Sequence, residues 1–366
     1  MSARRRRIAA VALSALVVAT AACGFSGTGE LNAGPSTPTG DAGDISDGGA
    51  EATPAVDAPS ATDAPVESAA PEHFGVPLVV ATGQFDLQEI ACDDEAAFVA
   101  VLDGILDRSV ILRVAQGAAP KKLASNQYRG RSTAVDDTRV FWVSGEPLGG
   151  HSYVRATLKN DVTTPDDYYD DGYGSSAFSA LTIKGTVLAF FSETSVSLRI
   201  FRGATSGLGG FDVAKDTGKV TGLAIDGPYV YWLPATADTI MRSSKTDAGA
   251  AETFTSGTAM TSLAIVNGEV FWTSDDARLR ALHTTTPQGA PRQVASGLAS
   301  PRHLAVDSRS AFWVDSATGA IATVPLAGGS PVVIGTGVST STVAACSNAV
   351  WFTNPTTGEI LRVARD

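Results

Sequence analysis

A segment of about ten residues that ends in an aromatic residue recurs along the chain with a spacing near forty. The four clearest copies each run from a short apolar stretch through a turn to a tryptophan: Thr133–Trp142, Leu223–Trp232, Leu263–Trp272 and Leu304–Trp313. Weaker copies end at Phe98, Phe191 and Trp351, so that all five tryptophans are assigned to one repeat position. The seven aromatic residues are separated by 44, 49, 41, 40, 41 and 38 residues. A period of this length indicates an array of similar supersecondary units.

Within each repeat, apolar and polar residues alternate with period two and are interrupted by turn residues. In the repeat around Trp313, strands are predicted at Leu304–Val306, Ala311–Val314, Ile321–Leu326 and Pro331–Ile334. Four short antiparallel strands in about 40 residues are typical of a β-propeller blade. No long window has helical periodicity. The sequence therefore predicts an all-β, seven-bladed propeller over residues 76–366, with a β-sandwich or a pair of all-β domains as the alternative.

The two ends of this region predict how the ring closes. Val76–Ala81 matches the fourth-strand segment Pro331–Ile334, and Ile360–Val363 matches the third-strand segment Ile321–Val324. The last repeat thus lacks its outer strand, and the start of the region supplies a spare one. We expect this N-terminal strand to complete the final blade, because closure in this way leaves no exposed sheet edge.

The repeat sequence, with pairs such as Tyr231-Trp232 or Phe271-Trp272 before a turn and a further strand, resembles the TolB-like, NHL and YWTD propeller superfamily. The resemblance covers residues 76–366, and Phe271–Ser274 comes nearest to the Tyr-Trp-Thr-Asp tetrapeptide, which does not occur in full. The chain is also similar to propeller lipoproteins of myxobacteria. The resemblance implies an architecture, because such propellers serve as binding proteins, scaffolds and, in some cases, enzymes.

The N-terminus predicts export from the cytoplasm. Arg4–Arg7 and the apolar run Ile8–Ala22 have the pattern of a signal peptide over residues 1–22, and a run of this length is short for a membrane-spanning helix, which is the alternative. Cys23 follows Thr20-Ala21-Ala22 and resembles the acylated cysteine of a bacterial lipobox, although that family usually has an aliphatic residue at the position of Thr20. We therefore expect a lipid-anchored protein of the outer membrane or periplasm, with cleavage and secretion without lipidation as the alternative.

The charge is distributed unevenly along the chain. Residues 23–75 contain nine acidic and no basic residues among Gly, Pro, Ala, Ser and Thr, so we expect a disordered tether. Residues 76–366 contain 23 basic and 29 acidic residues, and the whole chain has a formal net charge of −11. Because no basic stripe is present, a nucleic-acid partner is excluded, and membrane contact is expected only through the lipid anchor.

Two cysteines occupy nearly the same place in the first and last repeats. Cys92 and Cys346 each follow the first predicted strand, and these two repeats are neighbours in a closed ring. A disulfide is predicted at this seam, since such a bond persists in an exported protein. Two unpaired buried thiols are the alternative.

Sequence motifs for catalysis are not found. The chain has no nucleophile elbow, no P-loop and no dinucleotide-binding motif, and its four histidines have no metal-ligand spacing. His303 could line the central channel, but a surface or packing role is favoured. Asp136, Asp226 and Asp307 recur six residues before the tryptophan, where a turn role is favoured over a ring of metal ligands. We therefore predict no catalytic residues, no metal and no cofactor.

One insertion departs from the repeat. Residues 166–174 concentrate acidic and tyrosine side chains, and they are predicted to lie in the crossover from an outer strand to the next inner strand, on the face where propellers usually bind. Exposed tyrosines offer a large amphipathic contact area. The predicted ligand-binding residues are Asp166, Asp167, Tyr168, Tyr169, Asp170, Asp171 and Tyr173. A Ca²⁺ site and a solvated insertion without function are the alternatives.

These features together predict a non-enzymatic binding or scaffold module of the cell envelope, with a protein or glycan as its partner. The alternative is a lyase or hydrolase whose site lies at the mouth of the central channel.

Overall fold

The structure is a computed structural model, and it describes part of the chain. The described residues are 72–84, 86–102, 107–145, 151–170, 178–192, 197–202, 211–215, 217–235, 238–246, 250–337 and 340–365. All described residues belong to one compact unit, Ala69–Asp366. The predicted signal peptide, Cys23, the tether as far as residue 71, Asp171 and Tyr173 lie outside the described residues.

All regular elements in the described part of the chain are β-strands, and it holds no helix long and apolar enough to cross a membrane. In chain order the strands are β1 (Leu78–Ala81), β2 (Leu87–Cys92), β3 (Ala97–Leu102), β4 (Arg108–Val114), β5 (Lys121–Val135), β6 (Arg139–Gly145), β7 (Ser152–Leu158), β8 (Asp166–Asp170), β9 (Phe178–Lys184), β10 (Val187–Ser192), β11 (Ser197–Arg202), β12 (Phe211–Ala214), β13 (Val220–Asp226), β14 (Tyr229–Pro234), β15 (Thr239–Ser244), β16 (Glu252–Ser256), β17 (Met260–Val266), β18 (Glu269–Ser274), β19 (Arg278–His283), β20 (Arg292–Ser296), β21 (Pro301–Val306), β22 (Ser310–Asp315), β23 (Ala320–Pro325), β24 (Val332–Thr336), β25 (Val343–Cys346), β26 (Ala349–Asn354) and β27 (Glu359–Ala364).

These strands form antiparallel sheets in which sequence neighbours pair. Four sheets have four consecutive strands each, β9 to β12, β13 to β16, β17 to β20 and β21 to β24, and a fifth has the order β1-β27-β26-β25. The sixth sheet has seven strands, β2 to β8. Its long strand β5 pairs with β4 over Lys121 to Tyr128 and with β6 over Tyr128 to Val135. One strand therefore ends one meander and begins the next.

The first strand of each meander faces a common centre. Strands β2, β5, β9, β13, β17, β21 and β25 contact one another in this order, and β25 contacts β2. The sheets are thus arranged around a central channel, as in a β-propeller. The core lies between neighbouring sheets, where the side chains of all five tryptophans are at most 1% exposed.

Four tryptophans share one repeat position, as the sequence predicts. Trp142, Trp232, Trp272 and Trp313 each belong to a core cluster with an aromatic residue of the preceding repeat. Those partners are, in the same order, Phe98, Phe191, Tyr231 and Phe271. The tryptophans therefore form the contact between one blade-like repeat and the one before it.

The assignments of Phe98, Phe191 and Trp351 to that position are wrong by one residue. Trp351 faces the following repeat, in the cluster that contains Val99, and Phe352 takes the position of the other tryptophans. Phe190 and Val99 do so in their own repeats. Successive residues of a strand point to opposite faces, so a shift of one residue changes the neighbour that a side chain contacts. Aromatic residues occur on both faces, which is why the sequence alone did not fix the register.

The ends of the folded region meet at a seam. Strand β1 pairs with β27, with Leu78 opposite Arg362 and Val79 opposite Leu361, which confirms the predicted N-terminal outer strand. Cys92 and Cys346 are joined by a disulfide in the structure, with their Cα atoms 6.1 Å apart. The start and the end of the folded region are therefore joined by the backbone pairing of β1 with β27. The disulfide joins them a second time, where β2 contacts β25.

A buried ion network lies beside this seam. The Arg365 side chain is 0% exposed and donates to the Glu72 carboxylate at 2.6 Å, and it also pairs with Asp307. Arg309 contacts the same Glu72 carboxylate at 3.0 Å, and Phe74 packs edge-on against Phe312. Glu72, which composition assigns to the tether, therefore contacts the folded region.

Candidate functional site

A cavity of about 590 Å³ opens where the first strands begin. It is lined from β2, β5, β9, β13, β17 and β21, the strands that surround the central channel, and from the residues just before β13. We call it the channel mouth and define it by its charged and titratable residues, Glu89, Arg131, Lys219, Arg302 and His303. Its volume lies within the range of about 300–1,000 Å³ that is usual for ligand pockets.

Backbone irregularities aim consecutive side chains into the channel mouth. In each first strand that lines the mouth, the pairing with the second strand shifts, for example between Arg131 and Ala134 and between Arg302 and Ala305. Ser132, Ala180 and His303 each have φ = 51°, in the left-handed region. A β-bulge of this kind redirects side chains that a regular strand would point elsewhere. Both Arg302 and His303 therefore line the same cavity.

Equivalent positions of the repeats form a ring in this cavity. Each lies ten residues before the position that the tryptophans occupy, and the six that line the mouth are Glu89, Ser132, Ala180, Gly222, Ser262 and His303. Four of the six are small residues, which leaves space above them. Glu89 and His303 are thus the two titratable side chains of the ring.

The charge of the channel mouth differs from that of the whole chain. Arg131, Lys219 and Arg302 line it, whereas Glu89 is its one acidic lining residue among those described. Arg302 is held by Asp275 at 2.8 Å and by the carbonyl of Pro301 at 3.0 Å. Lys219 is exposed, and within the described residues its ammonium group has no ion pair. A chain of net charge −11 therefore carries a cationic site at the entrance of its channel.

Both titratable groups of the ring are shifted toward their neutral forms. Burial raises the pKa of Glu89, against the opposing effects of a hydrogen bond from Ser132 and of the charge of Arg131. Burial also lowers the pKa of His303, and the nearby charge of Arg302 acts in the same direction. Both side chains remain accessible to water, since the channel is open, but protein surrounds them and weakens their solvation.

The placement predicted for the acidic, tyrosine-rich segment is wrong. Asp166–Asp170 is strand β8, an outer strand that pairs with β7, and not a crossover loop. Its carboxylates are paired within the sheet: Asp166 with Arg139 at 2.5 Å, Asp167 with Arg155 at 2.7 Å and Asp170 with His151 at 2.5 Å. The high charge of the segment is thus matched by basic residues on β6, on β7 and directly before β7.

The tyrosines of β8 belong to the core. Tyr168 is 8% exposed and packs edge-on against Phe141, with ring centroids 5.1 Å apart. Tyr169 packs against Phe178 and Phe190, and its hydroxyl accepts a hydrogen bond from Arg199. The geometry therefore gives Asp166, Asp167, Tyr168, Tyr169 and Asp170 structural contacts, while ligand binding by Asp171 and Tyr173 stays a prediction.

Two other sequence interpretations have different outcomes. His303 is exposed and lines the channel mouth, the role that the sequence left open beside a surface or packing role. The turn role of the repeated aspartate is confirmed at Asp136 and Asp307, whose carboxylates accept hydrogen bonds from backbone amides two and three residues ahead. Asp226 instead pairs with Lys184. In the described part of the chain, no three acidic, histidine or cysteine side chains form a metal site.

Sequence reasoning missed most of the channel mouth. A signal was present, because Arg131-Ser132 and Arg302-His303 stand directly before the apolar stretch of their repeats. The corresponding residues of other repeats, such as Ser179 and Thr261, are uncharged. Aligning the positions before each first strand would therefore have revealed the charged residues that converge at the channel.

Comparison with known proteins supports the fold. No protein-family model matches the sequence, and no curated protein does. Among solved structures, a streptogramin B lyase is similar with a TM-score of 0.61 and 10% identity, covering 80% of this chain and 98% of the other. Virginiamycin B lyase from Staphylococcus aureus is similar with a TM-score of 0.59 and 8% identity, covering 80% and 99%. YCF48 bound to D1 peptide is similar with a TM-score of 0.57 and 11% identity, covering 82% and 97%. At these identities the likeness shows a β-propeller fold alone.

Proposed function

We propose that the protein is an exported, seven-bladed β-propeller that is anchored to the cell envelope through a lipid on Cys23. In this proposal it is a non-enzymatic binding module that holds a protein or glycan at its channel mouth. The cationic character of the channel mouth on an acidic chain is the observation that carries the proposal. Charge of opposite sign to the surrounding surface steers and orients a ligand.

The count of seven blades rests on the long strand β5. If its two halves are assigned to two blades, the seven-stranded sheet becomes two meanders and the total becomes seven. The closed cycle of seven first strands supports this count, and so does the repeat spacing near forty residues. The proposed disulfide between Cys92 and Cys346 then joins the first blade to the seventh.

The binding role is tested by crosslinking and pull-down from intact cell envelopes. We expect the wild-type protein to capture a partner that the channel-mouth variant Lys219→Glu/Arg302→Glu does not capture. Lys122→Glu is the matched control, because Lys122 is exposed on β5 and does not line the cavity. Equal capture by all three proteins would contradict a binding site at the channel mouth, provided that circular dichroism shows the same fold for each.

A second candidate function has one specific observation behind it. Glu89 and His303 line the same cavity. Burial raises the pKa of Glu89 toward neutral pH and lowers that of His303, which favours a carboxyl group that can donate a proton and a neutral imidazole that can accept one. Similar folds include lyases as well as a peptide-binding protein. If the pull-down captures nothing, a substrate screen is the next test, with His303→Ala and Glu89→Gln as inactive references. Turnover by the wild-type protein that both variants lose would favour a lyase or hydrolase.

The anchor is tested at Cys23. We expect Cys23→Ala to move the protein from the membrane fraction to the soluble fraction, because an acyl chain is the predicted source of its membrane affinity. Fractionation and mass spectrometry of the mature N-terminus measure this, with Ser26→Ala as the control. A Cys23→Ala protein that stays in the membrane with residues 1–22 uncleaved would show a membrane-spanning anchor instead.

A further inference from the structure

We infer that the channel mouth recognises a carboxylate group of an acidic peptide segment. This inference rests on the proposed binding function and names the chemistry of the ligand. It is argued from the arrangement of the cations, from the polar groups beneath them and from the kinds of side chain that line the cavity.

The cations come from separate parts of the ring. Arg131 lies on β5, Lys219 directly precedes β13, and Arg302 lies on β21, so that they approach the mouth from three sides. A carboxylate at the centre would meet positive charge from each side. Guanidinium groups also present paired donors that match the two oxygens of a carboxylate. The arrangement therefore favours an acidic group over a neutral or cationic one.

The donors are partly oriented before any ligand binds. Arg302 is fixed by Asp275 and by the carbonyl of Pro301, which lowers the entropy that binding would cost. Lys219 has no such restraint among the described residues, and its exposed ammonium can follow the ligand. One fixed and one mobile cation would hold an acidic side chain or chain terminus without requiring one peptide sequence.

The acidic groups at the mouth oppose only part of the cationic charge, since Asp275 pairs with Arg302 whereas Lys219 has no ion pair within the described residues. Glu89 is the one acidic residue among the described lining residues, and burial raises its pKa, which disfavours its charged form. His303 is held toward its neutral form as well. The Ser179 hydroxyl, which also lines the cavity, is buried and lacks a hydrogen-bond partner within the described residues. Peptide carbonyl and amide groups are suitable partners for such a polar lining.

The lining also argues against a neutral sugar as the ligand. No phenylalanine, tyrosine or tryptophan is among the described residues that line the channel mouth. Sugar rings commonly pack their apolar faces on aromatic rings, which bury much area at low entropic cost. Hydroxyls, small side chains and cations, by contrast, suit an extended acidic peptide.

The inference is tested with defined probes and the purified folded protein. The first probe is a fluorescein-labelled Gly-Ser hexapeptide that ends in two aspartates with a free carboxyl terminus, and the second is its amidated bis-asparagine counterpart. A labelled oligogalacturonate is the third, since it presents carboxylates on a sugar backbone. Fluorescence polarisation measures binding of each to wild type, Lys219→Gln/Arg302→Gln and Lys122→Gln.

We expect the acidic peptide to bind wild type and Lys122→Gln alike, and to bind the double variant at least about tenfold more weakly, because two charge-assisted contacts are lost. We expect the amidated peptide to bind the wild-type protein no more tightly than the acidic peptide binds the double variant. Binding of oligogalacturonate but not of the acidic peptide would overturn the inference in favour of an acidic glycan. Failure of all three probes would also overturn it, whereas the envelope pull-down would still decide the proposed function separately.

Discussion

Replacing Arg365 by methionine is expected to lower the free energy of unfolding by about 3–5 kcal/mol. The Arg365 side chain is fully buried, and its guanidinium neutralises the carboxylates of Glu72 and Asp307, which are 14% and 12% exposed. Methionine preserves much of the apolar packing against Phe312, but it leaves the poorly solvated Asp307 carboxylate without the cation that Arg365 supplies and the Glu72 carboxylate with Arg309 alone. Urea unfolding followed by tryptophan fluorescence measures the loss.

Arg362→Met is the matched control for that substitution. Arg362 lies on the same strand β27, is partly exposed and contacts Trp351 and the carbonyl of Asn348 without a carboxylate partner among the described residues. Its replacement is expected to cost less than about 1 kcal/mol. Equal losses for the two variants would mean that the buried network at the seam contributes nothing beyond ordinary packing.

Glu72→Gln tests the other end of the same network. It removes one carboxylate and should partly restore the Arg365→Met protein, because a single buried acid then remains instead of two. The double variant Glu72→Gln/Arg365→Met is therefore expected to be more stable than Arg365→Met alone. A higher stability of the double variant would indicate an electrostatic cause, because loss of side-chain volume alone would not be relieved by Glu72→Gln.

The architecture could be predicted from the sequence because every blade of a propeller has the same packing requirement. Each repeat must bury one strand face against the preceding repeat, so Trp142, Trp232, Trp272 and Trp313 mark the period. The closing strand was predictable for the same reason, since β1 had to match the missing outer strand of the last repeat. The repeat pattern of the sequence and the packing between repeats therefore agree.

Register within a strand was less predictable. Trp351 has the same chemistry as the other tryptophans but points to the opposite neighbour, and the sequence contains Phe352 directly beside it. Either aromatic residue satisfies the hydrophobic pattern, so a single sequence gives no basis for choosing. The choice depends on which face the adjacent sheets leave open, which is a tertiary property.

The channel mouth was missed because its residues are far apart in sequence and unremarkable one at a time. Glu89 and His303 are separated by more than half the chain, and they line one cavity only because the ring closes. The tyrosine-rich segment was overvalued for the converse reason. Its charges are concentrated in sequence, but Arg139 on β6, Arg155 on β7 and His151 directly before β7 pair with them. A high local density of charged and aromatic residues is therefore a poor guide to the binding site in a ring-shaped fold, where residues far apart in sequence come together.

Removing the bond between Cys92 and Cys346 is the second change with a large expected effect. The two residues are 254 positions apart in sequence, so the bond restricts the unfolded chain over most of the propeller. The chain-entropy relation predicts a loss of up to about 5 kcal/mol in the free energy of unfolding for Cys92→Ser/Cys346→Ser. Unfolding in urea, with free thiols counted in the wild-type protein under native and denaturing conditions, measures both the loss and the bond itself.

Reduction of the wild-type protein separates the bond from the packing of the sulfur atoms. We expect the reduced wild type to be destabilised nearly as much as the double serine variant, because both proteins lose the covalent closure and only one loses the thiols. Free thiols at both Cys92 and Cys346 in the untreated protein would show that these cysteines serve as buried small residues. The loss should also depend on Arg365, whose guanidinium donates to the Cys346 carbonyl at 3.3 Å. With the covalent link gone, Arg365→Met is expected to show a non-additive effect, since both changes act on one seam of the ring.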